Sequence, residues 1–503
     1  MLLLLLFVVI FFIWSWLYIR WNKVKRYWKE KGVPHYPPHP IMGSLTFLQK
    51  QNPAYWMRQA YNDFKSPYLG MWLFWRPALV INSPEIIKRI LVKDSDNFRN
   101  RFMSSGKTDP MGSMSILLIK DPAWTSLRRR LTPIFSAAKL KKHYKIVQVK
   151  STDFIQRIKE MSAKKIYFNL RTLSADYTTD VIGESAFGMI SESAKTGDSL
   201  MRGIAREFMA FNIQRGLSWS SIFFLPEVVD IFRFSFLPKD TLRRLRIIFR
   251  SIVEQRGGFD KKIDEPQDLL DALLKIKQEA DEDGEEISED FLLAQASVFL
   301  LAGFDTSGSA MSWVLYTLAW HPHCQEKIYE EIIAVKNKHG VQDLDANTLS
   351  ELVYLNCVIK ETLRLFPPMG WLDRVATKDY KIDEKVTIPA GTPVYLNAVA
   401  TQMDPQYFPD PLVFNPDRFM PENERNITPF TYLPFGEGPR SCIGTRFAFQ
   451  ALKQPIASII LTFKIETLPD TPSPIDVQVE NHGLFLMPLD ENMKVKFVPR
   501  DLE

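Results

Sequence analysis

From Met1 to Ile19 every residue except Ser15 is apolar or aromatic. At about 1.5 Å per residue this run reaches roughly 28 Å as a helix, close to one hydrocarbon core. A cleaved signal peptide is the competing reading, but its basic leader and small-residue cleavage site are missing, and the basic cluster follows the apolar run. The pattern therefore predicts a transmembrane anchor over 1–19, its N-terminus in the lumen and everything after Arg20 on the cytosolic side, with Trp14, Trp16, Tyr18 and Trp21 near the interface. Over 20–40 come a basic segment and then Pro34-His35-Tyr36-Pro37-Pro38-His39-Pro40. Each proline fixes its own φ and pushes its predecessor out of the helical region, which predicts a stiff, extended hinge.

From Ile41 onward helical periodicity broken by proline dominates, with a few short β-like runs such as Leu79-Val80-Ile81 and Val394-Tyr395-Leu396. No repeat and no second linker interrupts it, so 41–503 reads as one large, mainly α domain. The acidic stretch Glu279–Glu289, with Asp-Gly at 283–284, reads as a solvated loop. The longest proline-free apolar stretch runs from Ser288, a natural N-cap, to His321 just before Pro322. Its 34 residues would span about 50 Å as a helix. Apolar nearly all round, it should cross the middle of the protein. A second membrane span competes, but Gln295, Asp305, Thr306 and Ser307 interrupt it, and ionisable groups in lipid are expensive.

With 503 residues, 46% of them hydrophobic, the chain has ample material for a core, which excludes disorder. Six cations between Arg20 and Lys31 against Glu30 account for the whole net charge of +5, so residues 32–503 are formally neutral. No basic field remains for nucleic acid. The 3 cysteines, Cys324, Cys357 and Cys442, suit a reducing compartment.

Phe435-Gly436-Glu437-Gly438-Pro439-Arg440-Ser441-Cys442-Ile443-Gly444 precedes an apolar helical run. Gly436 and Gly438 allow a tight turn and close approach to a flat ligand, and Gly444 permits close packing beneath it. Cys442 at a helix N-terminus beside Arg440 is biased toward thiolate. Phe435, Gly438, Arg440, Cys442 and Gly444 in this spacing would arise by chance on the order of once in 10^4 such sequences. The loop resembles the cysteine-ligand loop of the cytochrome P-450 family, the haem-thiolate monooxygenases. That resemblance implies the family's fold, a large helical domain with a smaller β-rich subdomain behind a single N-terminal transmembrane helix. It also implies haem b, with Cys442 as the axial ligand to iron.

The other motifs take their roles from this resemblance. Glu361 and Arg364, at i, i+3 before Phe366-Pro367-Pro368, with Arg418 in Pro416-Asp417-Arg418-Phe419, resemble the family's structural triad, whereas Glu422 and Arg425 repeat the spacing in a loop. Ala302-Gly303-Phe304-Asp305-Thr306-Ser307 resembles the oxygen-activation segment: Gly303 would leave room for O2, and Asp305 and Thr306 would relay protons. A mid-helix threonine otherwise bonds the carbonyl four residues back. Many relatives of the insect type carry Glu where this chain has Asp305. Trp124 and Arg128, at i, i+4, with Arg374 and Arg440, resemble the haem-propionate donors. Pro455 falls inside the helix after Gly444, where an interior proline removes one backbone bond and kinks the run; the family's helix here is usually uninterrupted.

Substrate-contacting regions of the family map onto Phe102, Met103, Met111 and Met114, onto Phe208 and Phe211, onto Phe299 and Ala302, onto Met369, Trp371 and Leu372, and onto Leu484 and Phe485. Phe and adaptable Met favour lipophilic substrates of variable shape, although apolar identity alone does not separate pocket wall from core. The anchor, hinge and loop are most similar to microsomal P-450s of the insect xenobiotic-detoxification type. The resemblance implies residence in the endoplasmic reticulum membrane with the catalytic domain cytosolic, and NADPH and O2 as co-substrates. Electrons would come through a separate NADPH–cytochrome P-450 reductase, with cytochrome b5 as a further partner. Arg129, Arg130, Lys141 and Lys142 are a candidate docking patch for an acidic electron donor, or a solvated basic face. Three alternatives stay open: a haem-thiolate peroxide isomerase or dehydratase, a non-catalytic membrane-tethered haem-binding protein, and a zinc site built on His321, His323, Cys324 and a distant thiol.

Overall fold

The computed structural model describes residues 1–480, 483–489 and 492–500. Its first helix, α1 (Leu2–Glu30), continues well past the apolar run. Side chains from Leu2 to Ile13 are all exposed, whereas the last turns of α1 pack into the body. Trp28 is fully buried; its indole N–H donates to the Met71 carbonyl at 3.0 Å, and the Trp72 indole donates to the Val24 carbonyl at 3.1 Å. A Cβ at Gly70 would lie 2.4 Å from the Trp28 ring, so only glycine fits under that indole. The expected free-standing hinge runs along the same sheet edge: the Gly70 amide donates to the Pro34 carbonyl at 2.8 Å. Packing thus begins near Val24, earlier than residue 41, because indoles bring both apolar area and a donor that a sheet's carbonyls can answer.

Strands β1 (Tyr68–Leu73), β2 (Arg76–Ile81), β3 (Leu372–Val375) and β4 (Pro393–Leu396) form a four-stranded sheet in the order β1-β2-β4-β3. The two β-like runs read from the sequence are direct neighbours in it, pairing in parallel with Leu79 opposite Val394 and Ile81 opposite Leu396. In a second sheet β5 (Phe463–Thr467) pairs antiparallel with β6 (Lys494–Pro499), and Phe168–Asn169 adds to the other edge of β6.

The longer helices after α1 are α2 (Pro53–Phe64), α3 (Ala123–Leu131), α4 (Ala137–Ala163), α5 (Leu170–Phe187), α6 (Leu200–Met209), α7 (Ile213–Phe224), α8 (Lys239–Gln255), α9 (Leu269–Glu282), α10 (Glu289–Trp320), α11 (Pro322–His339), α12 (Val353–Leu365) and α13 (Thr445–Thr462). The Ser288 hydroxyl caps α10 by accepting from the Phe291 amide at 3.2 Å. Mostly buried, α10 packs against α5, α12 and α13, so it is the core helix rather than a second membrane span. The acidic stretch is only partly loop, since α9 extends through Glu282.

Pro455 does not break α13, which runs unbroken from Thr445 to Thr462. The missing proline N–H would have bonded the Ala451 carbonyl. Tyr177 on α5, itself fully buried, donates its hydroxyl to that carbonyl at 3.1 Å. The expected local disruption beneath the ligand loop is repaired from a neighbouring helix, in the way freed backbone acceptors must be.

Candidate active site

Residues 433–444 form the presenting loop. The Gly436 amide donates to the Leu433 carbonyl at 3.0 Å and the Cys442 amide to the Phe435 carbonyl at 2.8 Å. Gly436 and Gly438 have φ of +67° and +75°, and a Cβ at Gly438 would lie 1.9 Å from the Leu91 carbonyl oxygen. Glycine is thus demanded by both conformation and contact. Gly444 carries no such demand, because a Cβ there would meet only the Cys442 sulfur at 4.0 Å. Cys442 is exposed, whereas Cys324 and Cys357 are buried. Burial pushes both buried thiols up in pKa, so Cys442 is the chemically available sulfur.

Behind this loop lies the buried ion-pair assembly. Arg364 grips Glu361 with two parallel bonds, Nε to Oε2 at 2.7 Å and Nη2 to Oε1 at 2.8 Å. Arg418 joins as an ion pair to Glu361 at 3.4 Å. Arg364 also donates to the Gln402 carbonyl at 2.8 Å, and the Gln402 side chain accepts from the Leu433 amide at 2.9 Å while donating to the Arg364 carbonyl at 2.8 Å. Gln402 therefore connects the ion pairs to the root of the cysteine loop. Sequence reasoning missed it, since a glutamine that bonds backbone leaves no spacing pattern. The second Glu-x-x-Arg pair makes only an exposed local bond, Arg425 to the Glu422 carbonyl.

A cluster of cations borders the loop. The Arg440 guanidinium stacks over the Trp124 ring at 4.0 Å and donates to the carbonyls of Arg99 and Ile119 at 2.7 and 3.1 Å. Burial, then repulsion from Arg101 and Arg374, pushes its pKa down to about 8. Arg374 is depressed to about 10 by burial and by Arg101, and Lys120 to about 8 by burial, with Arg440 and Arg101 adding to it and Asp373 opposing. Arg128 is lowered by burial, and the nearby Cys442 sulfur counters the shift. Arg101 keeps a buried Nε with no partner. Buried and half-buried cations that repel one another and leave an N–H unanswered fit an anionic ligand carrying more than one charge.

The middle of α10 contributes a second wall. Ala302 is exposed and Thr306 half-buried, while Leu301, Phe304 and Ser307 around them are buried. The Thr306 hydroxyl donates to the Ala302 carbonyl at 2.6 Å. Gly303 does not face this side: its absent Cβ would lie 2.5 Å from Ile182 of α5, so the glycine admits a neighbouring helix rather than O2. Asp305 also points elsewhere. Burial raises its carboxyl to about 6, with Arg171 and Arg202 pulling it down and Glu480 pushing it up. Consecutive residues leave a helix about 100° apart, which is why Thr306 and Asp305 serve different faces.

The Cytochrome P450 family model matches residues 34–495. The chain belongs to the cytochrome P450 family. It is 33% identical over 480 residues to Cytochrome P450 6k1 of Blattella germanica, covering 91% of this chain and 90% of that protein. It is 34% identical over 469 residues to Probable cytochrome P450 6g2 of Drosophila melanogaster, covering 89% and 90%. Cytochrome P450 6l1 of Blattella germanica is 33% identical over 479 residues, covering 94% and 93%. The helical body, small sheets and single exposed N-terminal helix are those of a membrane-anchored P450.

P450 membership implies a haem iron, and the residues present fit it: an exposed thiol on a glycine turn, and beside it five cations with an unanswered N–H suited to two propionates. Arg101 and Lys120 were not legible as part of this cluster, because isolated cations in a loop carry no spacing signal. Of the apolar residues expected around a P450 substrate, Leu372 lies beside the cysteine loop, 3.5 Å from where a Gly436 Cβ would sit. Phe299 stacks on Phe135 at 5.4 Å, and Met369, Met111 and Phe102 pack at the core. Gln295 of α10 holds Met114 by its carbonyl and Ile116 by its amide, each at 2.8 Å. Phe208, Leu484 and Phe485 border a small cavity of about 60 Å³ with Phe211 at its rim, where Phe211 is exposed. Trp371 is fully buried among Phe223, Phe224 and Tyr395, and Met103 is buried likewise.

Two further expectations change. In the basic patch Arg130 pairs with Glu285 at 3.3 Å and Lys142 with Glu265, whereas exposed Arg129 and Lys141 make no ion pair among the described residues. At the zinc alternative, Tyr354 donates to the Cys324 sulfur and His321 Nδ1 is engaged by the Thr317 carbonyl at 2.7 Å. Among the described residues no cluster suits a metal ion.

Proposed function

We propose that this P450 is a haem-thiolate monooxygenase of the endoplasmic reticulum membrane, its body cytosolic, inserting one oxygen atom of O2 into small lipophilic molecules. Xenobiotics, toxins, insecticides and endogenous lipids are the substrate classes its apolar pocket suits. NADPH supplies electrons through a separate reductase, with cytochrome b5 as an auxiliary donor. Arg129 and Lys141 are the cations available to an acidic docking surface.

The single observation that supports this reading is the accessible Cys442 thiol on its glycine turn, beside five cations of which Arg374 and Arg440 are buried and Arg101, Lys120 and Arg128 half-buried. Bound haem would supply dioxygen activation, with sulfur donation favouring O–O cleavage. Cys442 would hold the iron, and Trp124, Arg101, Arg128, Arg374 and Arg440 would answer the carboxylates. Glu361, Arg364, Arg418 and Gln402 hold the loop rigid. Thr306, its own proton committed to the Ala302 carbonyl at 2.6 Å, offers hydroxyl lone pairs to water on the accessible face. Asp305, titrating at about 6, exchanges protons with the opposite side of α10 near neutral pH.

The test is a reduced carbon-monoxide difference spectrum of the wild type and of Cys442→Ala. A thiolate-type Soret shift in the first and its absence in the second is expected. A full spectrum in the variant overturns the reading. Product formation that proceeds without NADPH identifies the isomerase instead.

A further inference from the structure

Asp373 on β3 is a buried carboxylate inside the cation cluster, and nothing in the activity proposed above employs it. Its Oδ2 accepts from two consecutive backbone amides, Phe102 at 2.7 Å and Met103 at 3.2 Å. The rest of that backbone is bound to the same cluster. Arg440 takes the Arg99 carbonyl at 2.7 Å, the Val375 amide takes that of Asn100 at 3.0 Å, and Lys120 takes those of Arg101 and Met103. The Asp373 carbonyl in turn accepts from Arg374 Nη1 at 2.7 Å, folding that guanidinium back onto its strand.

Residues 99–103 therefore carry Arg101, which faces the haem-edge cations, next to Phe102 and Met103, and Asp373 is the group holding their amides. Asp373 also stands among the charges that counter the repulsion of Arg440 by Arg101 and Arg374.

We propose that Asp373 is a positioning residue that locks the 99–103 segment to the haem-edge arginines, so that the placement of Arg101 and the shape of the adjoining substrate pocket are set by one carboxylate. The proposal rests on the haem-thiolate reading above. It differs from a general stabilising role in what it spares: the bond from Cys442 to iron and the access of small ligands to that iron do not depend on Asp373.

The experiment uses full-length holoprotein carrying Asp373→Ala or Asp373→Asn. Three measurements are made on each: the reduced carbon-monoxide spectrum, spectral titration with a bulky lipophilic azole against imidazole, and amide exchange of the peptide covering 99–105. In Asp373→Ala the thiolate band persists, exchange of 99–105 accelerates, and the bulky azole weakens about tenfold, the loss expected for a charge-assisted bond, while imidazole changes less than about twofold. Asp373→Asn, whose carbonyl can accept both amides, restores protection and azole affinity. The proposal is overturned by unaltered exchange and azole binding in Asp373→Ala, by equal weakening of azole and imidazole, or by failure of Asp373→Asn to restore either. Should Asp373→Ala not accumulate, the wild type itself decides: haem extraction must speed exchange of 99–105, and unchanged protection overturns the coupling. A wild type without the thiolate band sinks the haem-thiolate reading instead.

Discussion

Arg101 keeps an N–H with no partner and Asp305 a carboxyl whose pKa burial raises, and each makes a prediction at its own position. Arg101→Ala removes one of several mutually repelling cations, so the haem-free protein should lose no thermal stability. Haem transfer to apomyoglobin should nevertheless speed up by about tenfold or more, since a charge-assisted bond is worth roughly 1.5–3 kcal/mol. Asp305 binds its proton more tightly folded than unfolded, because its carboxyl is raised from 3.8 to about 6. Between those values the native state holds more proton than the unfolded chain, so stability falls as pH rises, and above about 6 the full penalty remains. Asp305→Asn should therefore gain melting temperature over wild type at pH 7.5 and lose that gain toward pH 4, and a constant difference would refute the assignment. Local geometry was legible where a fixed spacing marks it, as in the Glu361–Arg364 ion pair and the glycine turn that carries Cys442. Reading from sequence failed at Gly303, because a helix period says which residues share a face but not which face meets the haem side and which meets α5.

At the scale of elements, Pro455 and Tyr177 form a pair that only the fold brings together. Tyr177→Phe strips the Ala451 carbonyl of its donor and should cost about 1–2 kcal/mol in denaturant unfolding. In a Pro455→Ala background the helix supplies its own N–H, and the same change should cost measurably less; equal costs in both backgrounds would show that the hydroxyl is not repairing the helix. The central helix was readable from end to end, since its cap, its apolar circumference and Pro322 are local features. The β-like runs near residues 80 and 395 were visible too, but their parallel pairing was not, because more than three hundred residues separate the partners. Proline alone predicted a kink in α13, and a tertiary contact overrode it. The basic cluster after Arg20 hid a helix that continues onto the sheet, because the rise in charge there resembles a boundary.

For the molecule as a whole, the seam between anchor and body sets what can be removed. Deleting residues 2–22 should release the protein from membranes while leaving its thermal midpoint intact. Deleting 2–30 also takes Trp28, fully buried against β1, and should cost about 3–5 kcal/mol, as loss of a buried tryptophan does; sedimentation and thermal melts of the two truncations distinguish them. Charge reversal at Arg129 and Lys141 should slow reductase-supported turnover and flatten its salt dependence without altering turnover driven by an organic peroxide.

The two reciprocal indole-to-carbonyl bonds that join α1 to β1 make the anchor a keel rather than a leash. With α1 in the bilayer, as proposed above, a body fastened in this way would follow the tilt of the helix instead of swinging on a free linker. A redox partner in the same bilayer would then meet it at a height and inclination that α1 sets.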